Sequence, residues 1–368
     1  MEKITMAKNK PGAGIDIGTA FMVAARDNSD SNLKISSVRD CFLTLPLEQA
    51  PMLEMSDISF VKGQNSLYVV GNDAVNLSGV LGGELRRPLS KGFISAKEEE
   101  GKAVVSLILE QILGKPLMDN EPVAFSIPGP VYDMNADFSS DQTELTFHSR
   151  FFKELLEGLG YKARPINEAM AITYSETLNP QDNALPLTAL SISFGAGMTN
   201  VALTYKSLLV RSFSIPFGGD YIDAGAAKAT DSPISHITML KEHGVNVAGQ
   251  STNKTRIENP LDSHDSQSDR QADAIALMYR DLLTKLVEST NKFFSLPSNR
   301  TEIKETIPVI YSGGTSMVPG FSDLFKDVFM DNLSLRFKVE PEAKSAAYPM
   351  DATSRGALNF IRLVSGVK

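Results

Sequence analysis

Two short glycine turns stand out for the chemistry their residue types could do: Asp16-Ile17-Gly18-Thr19-Ala20 and, far along the chain, Gly195-Ala196-Gly197-Met198-Thr199. A glycine turn lets successive backbone N–H groups close on a phosphate, because no Cβ keeps the anion away and the N–H groups form an anion-binding nest. Asp16, at a strand end just before its turn, could hold water on a Mg2+, which prefers oxygen ligands and keeps much of its hydration. A third cluster, Ser312-Gly313-Gly314-Thr315-Ser316-Met317-Val318-Pro319-Gly320, would let a flat purine or ribose lie against the main chain. Taken singly, each of these motifs also serves as a structural turn. Together, two such hairpins could grip a polyphosphate from both sides.

The runs 13–17 and 21–25 read as a strand and a returning strand about the first turn, and 187–193 and 200–205 repeat that sketch about the second. Between them, apolar residues at helical spacing mark a helix over 102–113. Phe151, Phe152, Leu155, Leu156 and Leu159 mark another, stopped by Gly160. The apolar run 123–127 before Pro128 reads as a buried strand, so strands and helices alternate and the class is α/β. Later, Ile275 to Phe293 carries a long amphipathic helix, 309–311 a strand and 321–329 a helix. The stretch 250–270 is rich in Ser, Asn, Asp and Gln and reads as an exposed loop.

The totals narrow the classes of function. At 368 residues the chain suits about two domains. A net charge of -8 argues against a broadly basic surface tracking nucleic acid, so no direct nucleic-acid partner is expected. The best local basic cluster, Arg86, Arg87 and Lys91, reads as a solvated loop. A single cysteine, Cys41, excludes an internal disulfide and a cysteine-cluster zinc site, which fits a reducing, cytoplasmic setting. Residues 1–10 carry no strong membrane anchor, and no stretch approaches the roughly 20 apolar residues of a span. His148, His236, His243 and His264 show no metal-ligand spacing and are expected in solvent or in satisfied core positions.

The motifs in their order resemble those of the actin-like ATPase superfamily, whose fold also serves heat-shock chaperones and sugar kinases. The motif set is most similar to that of bacterial actins such as MreB and MamK. Gly14 to Ala20 resembles the first phosphate loop, Gly195 to Thr199 the second, and Gly313-Gly314-Thr315 to Pro319-Gly320 the adenosine motif. Ile166-Asn167-Glu168-Ala169-Met170-Ala171 resembles the first connecting helix and Asp351 to Ala357 the second. Smaller likenesses are Gly71-Asn72-Asp73-Ala74, Arg87-Pro88-Leu89 to Gly92-Phe93-Ile94, and Phe217-Gly218-Gly219-Asp220.

This resemblance implies an actin-like α/β fold of two similar halves, each a mixed sheet flanked by helices, with ATP and Mg2+ in a central cleft. The halves would be residues 1–163, with a small-lobe insert at about 33–89 and completed by 346–368, and residues 164–345, with an insert at about 221–303. It implies nucleotide contacts from Asp16, Gly18, Thr19, Ala20, Gly195, Ala196, Gly197, Met198, Thr199, Gly313, Gly314, Thr315 and Met317. Lys241 and Glu242 match ribose and purine contacts, although such a pair on a helix also fits plain solvated surface. Glu168 takes the place of the residue that orients the attacking water, and a carboxylate there also suits the positive end of its helix.

One departure concerns Ser193, which stands where the family usually has an aspartate, with Asn200 replacing a frequent acidic residue. A serine still binds Mg2+ through water but holds it less firmly, so ATP binding is better supported than fast turnover. The implied function is a prokaryotic cytoskeletal protein that self-associates into a homopolymeric filament, hydrolyses ATP slowly and positions a cargo through a cargo or adaptor protein. The alternative is an ATP-binding scaffold or regulator that forms no filament. A small-molecule kinase would need an acidic base for a substrate hydroxyl, and no candidate beyond Glu168 presents itself.

Overall fold

The apolar runs on either side of the two glycine turns are strands, and each pair leads a sheet of the same design. In the computed structural model of the chain, residues 12–27, 33–94, 100–134, 142–176, 187–248 and 267–365 are described. The amino-terminal stretch 1–10, His264 and positions 250–266 of the expected loop lie outside the described residues.

In chain order the elements begin with β1 (Ala13–Ile17), β2 (Phe21–Asp27), β3 (Leu33–Arg39) and β4 (Phe42–Pro46). There follow α1 (Ala50–Met55), β5 (Phe60–Lys62), β6 (Ser66–Val70) and α2 (Gly71–Leu81). Next come β7 (Leu85–Arg86), β8 (Leu89–Ser90), β9 (Phe93–Ile94), α3 (Gly101–Leu113), β10 (Glu121–Ile127), α4 (Thr143–Gly158), β11 (Tyr161–Asn167) and α5 (Glu168–Glu176). The later part holds β12 (Ala189–Phe194), β13 (Thr199–Tyr205), β14 (Leu208–Ile215), α6 (Gly219–Thr230) and α7 (Ile234–Glu242). It continues with α8 (Gln267–Ser295), β15 (Val309–Ser312), α9 (Phe321–Val328), β16 (Lys344–Ser345) and α10 (Ala352–Val364).

The chain divides into two units, one made of Met1–Gly129, Asp141–Leu185 and Asp351–Lys368, the other of Pro130–Ser140 and Pro186–Met350. In the first unit a five-stranded sheet runs β11-β10-β1-β2-β3, with β1, β10 and β11 parallel and β2 and β3 antiparallel to their neighbours. In the second, β14-β13-β12-β15-β16 repeats that order and those directions. The two glycine turns therefore occupy equivalent places, between the central strand of each sheet and its antiparallel partner. A separate four-stranded sheet, β5-β6-β4-β7, carries its own small core around Leu43, Leu53, Leu67 and Val69.

Burial explains why these sequences choose these elements. Every residue of β12 is buried, its two serines included, as suits a central strand covered on both faces. In α3, Val104, Val105, Ile108, Leu109, Ile112 and Leu113 form one buried stripe. At α9 the rings of Phe321, Phe325 and Phe329 stack one turn apart, and Phe321 meets Phe194 of β12 with centroids 5.0 Å apart. Each such ring, removed from water, contributes about 1.5–3 kcal/mol.

Small residues decide how closely the first unit packs. A Cβ on Gly14 would lie 2.1 Å from the Ser354 carbonyl oxygen, and one on Gly356 would lie 1.7 Å from that of Ala171. These glycines let α10 press its backbone onto β1 and α5.

Two expectations are corrected here. Residues 267–270, read as the end of a polar loop, form the first turn of α8. That turn is polar because only the later turns carry the buried stripe, and Gln271 anchors it by donating to Ser232 Oγ at 2.7 Å. The basic cluster is not simply solvated. Arg86 lies over the Phe42 ring at 4.9 Å and pairs with Glu100 at 3.6 Å. Asp40, fully buried, has its carboxyl pushed well above the usual range by burial, and Arg87 opposes that shift.

Candidate functional site

The first turn closes β1 onto β2 with Ile17 opposite Met22. A Cβ on Gly18 would stand 2.4 Å from the Phe21 carbonyl oxygen, so the hairpin admits only glycine there. Ser126 of β10 fixes the strand end: its hydroxyl donates to Asp16 Oδ1 at 3.0 Å and accepts the Ile17 N–H at 2.8 Å. Burial pushes the Asp16 carboxyl up to about 6, with the Ser126 hydrogen bond pulling the other way. Thr19 Oγ1 accepts the Gly92 N–H at 3.1 Å, and the Ala20 carbonyl accepts the Asp40 N–H at 2.9 Å. The turn is thus pinned by three separate segments of the first unit.

Glu168 is the first residue of α5 and is partly exposed. The cap of that helix is its neighbour: Asn167 Oδ1 accepts the Met170 N–H at 3.1 Å. A carboxylate at this position gains from the helix dipole whether or not it meets a ligand.

The second turn is held more tightly. The Gly195 N–H donates to the Met198 carbonyl at 3.0 Å. The Gly195 carbonyl accepts from the Gly219 N–H at 3.0 Å and from the Thr315 hydroxyl at 2.9 Å, while the Ala196 carbonyl accepts the Asp220 N–H at 2.8 Å. Gly218 must be glycine, since its Cβ would meet the Gly195 and Ala196 carbonyl oxygens at 2.6 Å. Gly313, with φ of 104°, lies against the Phe194 backbone, and Gly314 faces Met350 Sδ. Tyr279 Oη donates to the Thr315 carbonyl at 2.9 Å, locking the third glycine cluster onto α8.

Among the site residues named from sequence, the fold brings Gly195, Ala196, Thr315 and Lys241 together around Gly219. A Cβ there would lie 2.8 Å from Thr315 Oγ1, 3.2 Å from Lys241 Nζ and 3.5 Å from the Ala196 Cα. Gly197, Met198 and Thr199 are buried, and the Thr199 hydroxyl donates to the Phe217 carbonyl at 2.9 Å, so these residues offer a ligand mainly their backbone. Glu242 and Met317 lie on the surface, Met317 being 52% exposed.

Ser193 is buried on β12, two residues before its turn as Asp16 is before the other, and it pairs in register with Asn200 and Ser312. The two hairpins are alike in topology and differ in charge at this position.

Asp223 and Ser126 were missed by sequence reasoning. Asp223 lies on the buried side of α6 among Ile222, Ala226 and Ala227, and an acid inside an apolar helical stripe is the signal that could have found it. Lys241 Nζ lies 2.7 Å from its Oδ1 and 2.8 Å from its Oδ2, and the Thr238 hydroxyl donates to Oδ2 at 2.8 Å. Burial raises this carboxyl, and Lys241 and Thr238 oppose the rise. Ser126 offered no local signal.

His148 is wholly buried, accepts the Ile94 N–H at Nδ1 and is held neutral by burial, its pKa lowered to about 3; His236 and His243 are exposed. Among the described residues no group of three or more His, Cys, Asp or Glu side chains could hold a metal, and no helix is long and apolar enough to cross a membrane.

The family model described as Volactin matches residues 12–360. By sequence, no curated protein matches. Among solved structures, the MamK double helical filament is similar at 14% identity and a TM-score of 0.65, over 97% of this chain and 99% of that one. MreB5 of Spiroplasma citri bound to AMPPNP is similar at 15% identity and a TM-score of 0.64, over 98% of each chain. The ethanolamine utilization protein EutJ of Carboxydothermus hydrogenoformans is similar at 14% identity and a TM-score of 0.52, over 97% and 92%. At these identities the likeness establishes the fold, which is that of the actin-like ATPases.

Proposed function

This chain belongs to the Volactin family, and we propose that it is an actin-like protein that binds ATP with Mg2+ and polymerises into filaments that position a cellular cargo. One observation carries the reading: each unit repeats the same sheet and places a pinned glycine turn after its central strand, and in the second unit that turn is bonded to the glycine cluster proposed to hold adenosine. The MamK and MreB5 structures are described as a filament and as an AMPPNP complex, which supports extending both properties to this chain.

In this reading the N–H groups of Gly18, Thr19 and Ala20 and those of the Gly195 to Thr199 turn bind phosphates, while Gly313, Gly314, Thr315 and Met317 border the nucleoside. Asp16 and Ser193 hold water on Mg2+. The Asp16 carboxylate with the Ser126 hydroxyl beside it offers oxygen donors suited to an ion that keeps several waters and binds through phosphate oxygens, and among the described residues no cluster of three or more acids forms a cage. When bound, Mg2+ neutralises charge on the phosphates. Glu168 orients the attacking water, its helix being capped independently by Asn167.

The test is pelleting and negative-stain imaging with Mg-ATP, Mg-ADP and no nucleotide, alongside phosphate release, for wild type and Glu168→Ala. Filaments favoured by ATP, longer-lived in the variant, with phosphate release down about a hundredfold, are expected. ATP binding by a chain that stays monomeric at high concentration would favour a second reading, an ATP-binding scaffold. The uncharged Ser193 at the position equivalent to Asp16 favours that alternative.

A further inference from the structure

The first glycine turn carries no cation of its own. Asp16 to Ala20 contains no lysine or arginine, and the two ionisable residues assigned a role beside it, Asp16 and Glu168, are both acids. In the second unit Lys241 is already paired with Asp223 at 2.7 Å. A nucleoside triphosphate stays anionic even with one Mg2+ bound, so a positive side chain near the turn would add much to its hold.

Strand geometry points to one. Asp16 lies opposite Val23 of β2, and Val23 lies opposite Ser37 of β3. Phe21 and Arg39, also opposite one another, stand two residues further along those strands. Side chains opposite one another or two residues apart share a face, so Phe21 and Arg39 are on the face of the sheet that carries Asp16. The other face holds Ile17 and Met22, buried in the core with Val104 and Ile108 of α3. Arg39 is also near the turn through the backbone: Phe21 directly follows Ala20, and the N–H of Asp40, next after Arg39, donates to the Ala20 carbonyl at 2.9 Å. The Arg39 guanidinium lies over the Phe21 ring, 4.7 Å from its centroid, and both residues are partly exposed. Stacking engages the flat face of a guanidinium, while its N–H donors point outward in its plane, in the fork that suits phosphate oxygens.

We infer that Arg39 is a phosphate-binding residue: held by Phe21 on the Asp16 face of the sheet, its guanidinium contacts the polyphosphate of the bound nucleotide at the exit of the first turn. This assignment rests on the nucleotide-binding reading above and adds to it the cation that the turn lacks. Phe21 acts through Arg39, as the platform that limits where the guanidinium can point.

The experiment is competition titration of the full chain against a fluorescent ATP analogue, with Mg-ATP and with adenosine as competitors, at low and high salt, for wild type, Arg39→Gln, Arg39→Lys and Phe21→Leu. In Arg39→Gln, Mg-ATP is expected to bind about tenfold more weakly or worse, the worth of one charge-assisted hydrogen bond, while adenosine keeps its affinity within about twofold. Salt should weaken Mg-ATP binding less in that variant than in wild type, since one screened attraction is gone. Arg39→Lys and Phe21→Leu keep the positive charge and lose either the fork or its platform, so each should lose about threefold for Mg-ATP and little for adenosine.

Unaltered Mg-ATP affinity in Arg39→Gln would overturn the inference. Equal losses for Mg-ATP and adenosine would do so as well, because they would assign Arg39 to holding the fold rather than the phosphates, and so would a salt dependence identical to that of wild type. If Arg39→Gln does not fold, unaltered Mg-ATP affinity in both other variants overturns it. A wild type that binds neither Mg-ATP nor adenosine would overturn the nucleotide reading itself and this inference with it. Wild-type binding of Mg-ATP with unaltered variants sinks the inference alone.

Discussion

The Thr315 hydroxyl donates to the Gly195 carbonyl at 2.9 Å, joining residues 120 positions apart in sequence. That carbonyl also takes the Gly219 N–H, so the turn's orientation is set jointly by the start of α6 and by the glycine cluster after β15. Thr315→Val keeps shape and removes the donor. It should cost about 1 kcal/mol of stability, as one hydrogen bond is worth, and weaken Mg-ADP binding about tenfold, whereas Thr315→Ser should retain both. Calorimetric titration beside a denaturant melt separates the two effects.

Gly356 and Gly79 form a contrasting pair. A Cβ on Gly356 falls 1.7 Å from a backbone oxygen of α5, which cannot give way, while one on Gly79 in α2 meets nothing within 4 Å. Gly356→Ala is expected to destabilise by about 3 kcal/mol or more, through overpacking. Gly79→Ala is expected to stabilise by about 0.5–1 kcal/mol, since it restricts the unfolded chain without a clash. Urea unfolding of the two variants measures both signs.

His148 makes stability depend on pH with a defined sign. Burial lowers its pKa to about 3 from the ordinary 6.5, so the folded state prefers the neutral ring. Its contribution is complete above pH 6.5 and is lost as pH falls towards 3, about 2 kcal/mol being gone at pH 5. His148→Asn, which can still accept the Ile94 N–H, should flatten the stability profile between pH 6.5 and 4. An unchanged slope in a urea series over that range would disprove the assignment.

Asp16 runs the other way. Burial raises its pKa to about 6, so its charged form opposes folding above that pH and the favourable contribution is confined to pH below about 4. Asp16→Asn should stabilise the nucleotide-free protein by about 1–3 kcal/mol at pH 8. The same change should remove most of the gain in ADP affinity that Mg2+ provides, leaving binding in EDTA nearly unaltered. Melting curves at pH 8 and titrations with and without Mg2+ test the two halves of this expectation.

Much of the fold was legible because its signals are local. The strand at 13–17 coincides with β1, and the helical stripe at 102–113 needed only one more residue to become α3, since alternation and 3.6-residue spacing are short-range patterns. The start of α8 was not legible: its first turn is polar throughout, and helix forms there because the buried stripe downstream and the Gln271 hydrogen bond to Ser232 carry it. The basic character of 86–91 was plain in the sequence, but not that Arg86 covers an aromatic ring and that Arg87 acts on a buried acid.

The sequence by itself determined the strands beside the two turns and the longer amphipathic helices, the places of the three glycine clusters and the difference in charge between Asp16 and Ser193, because each depends on neighbours within a few residues. Tertiary structure alone decided that Ser126 holds Asp16, that Asp223 neutralises Lys241 and that Thr315 closes on Gly195. The reason is physical: a serine, an aspartate or a lysine carries the same local pattern in solvent as in a core. Only the packing of separate elements removes the water that would otherwise satisfy such a group and commits it to one partner.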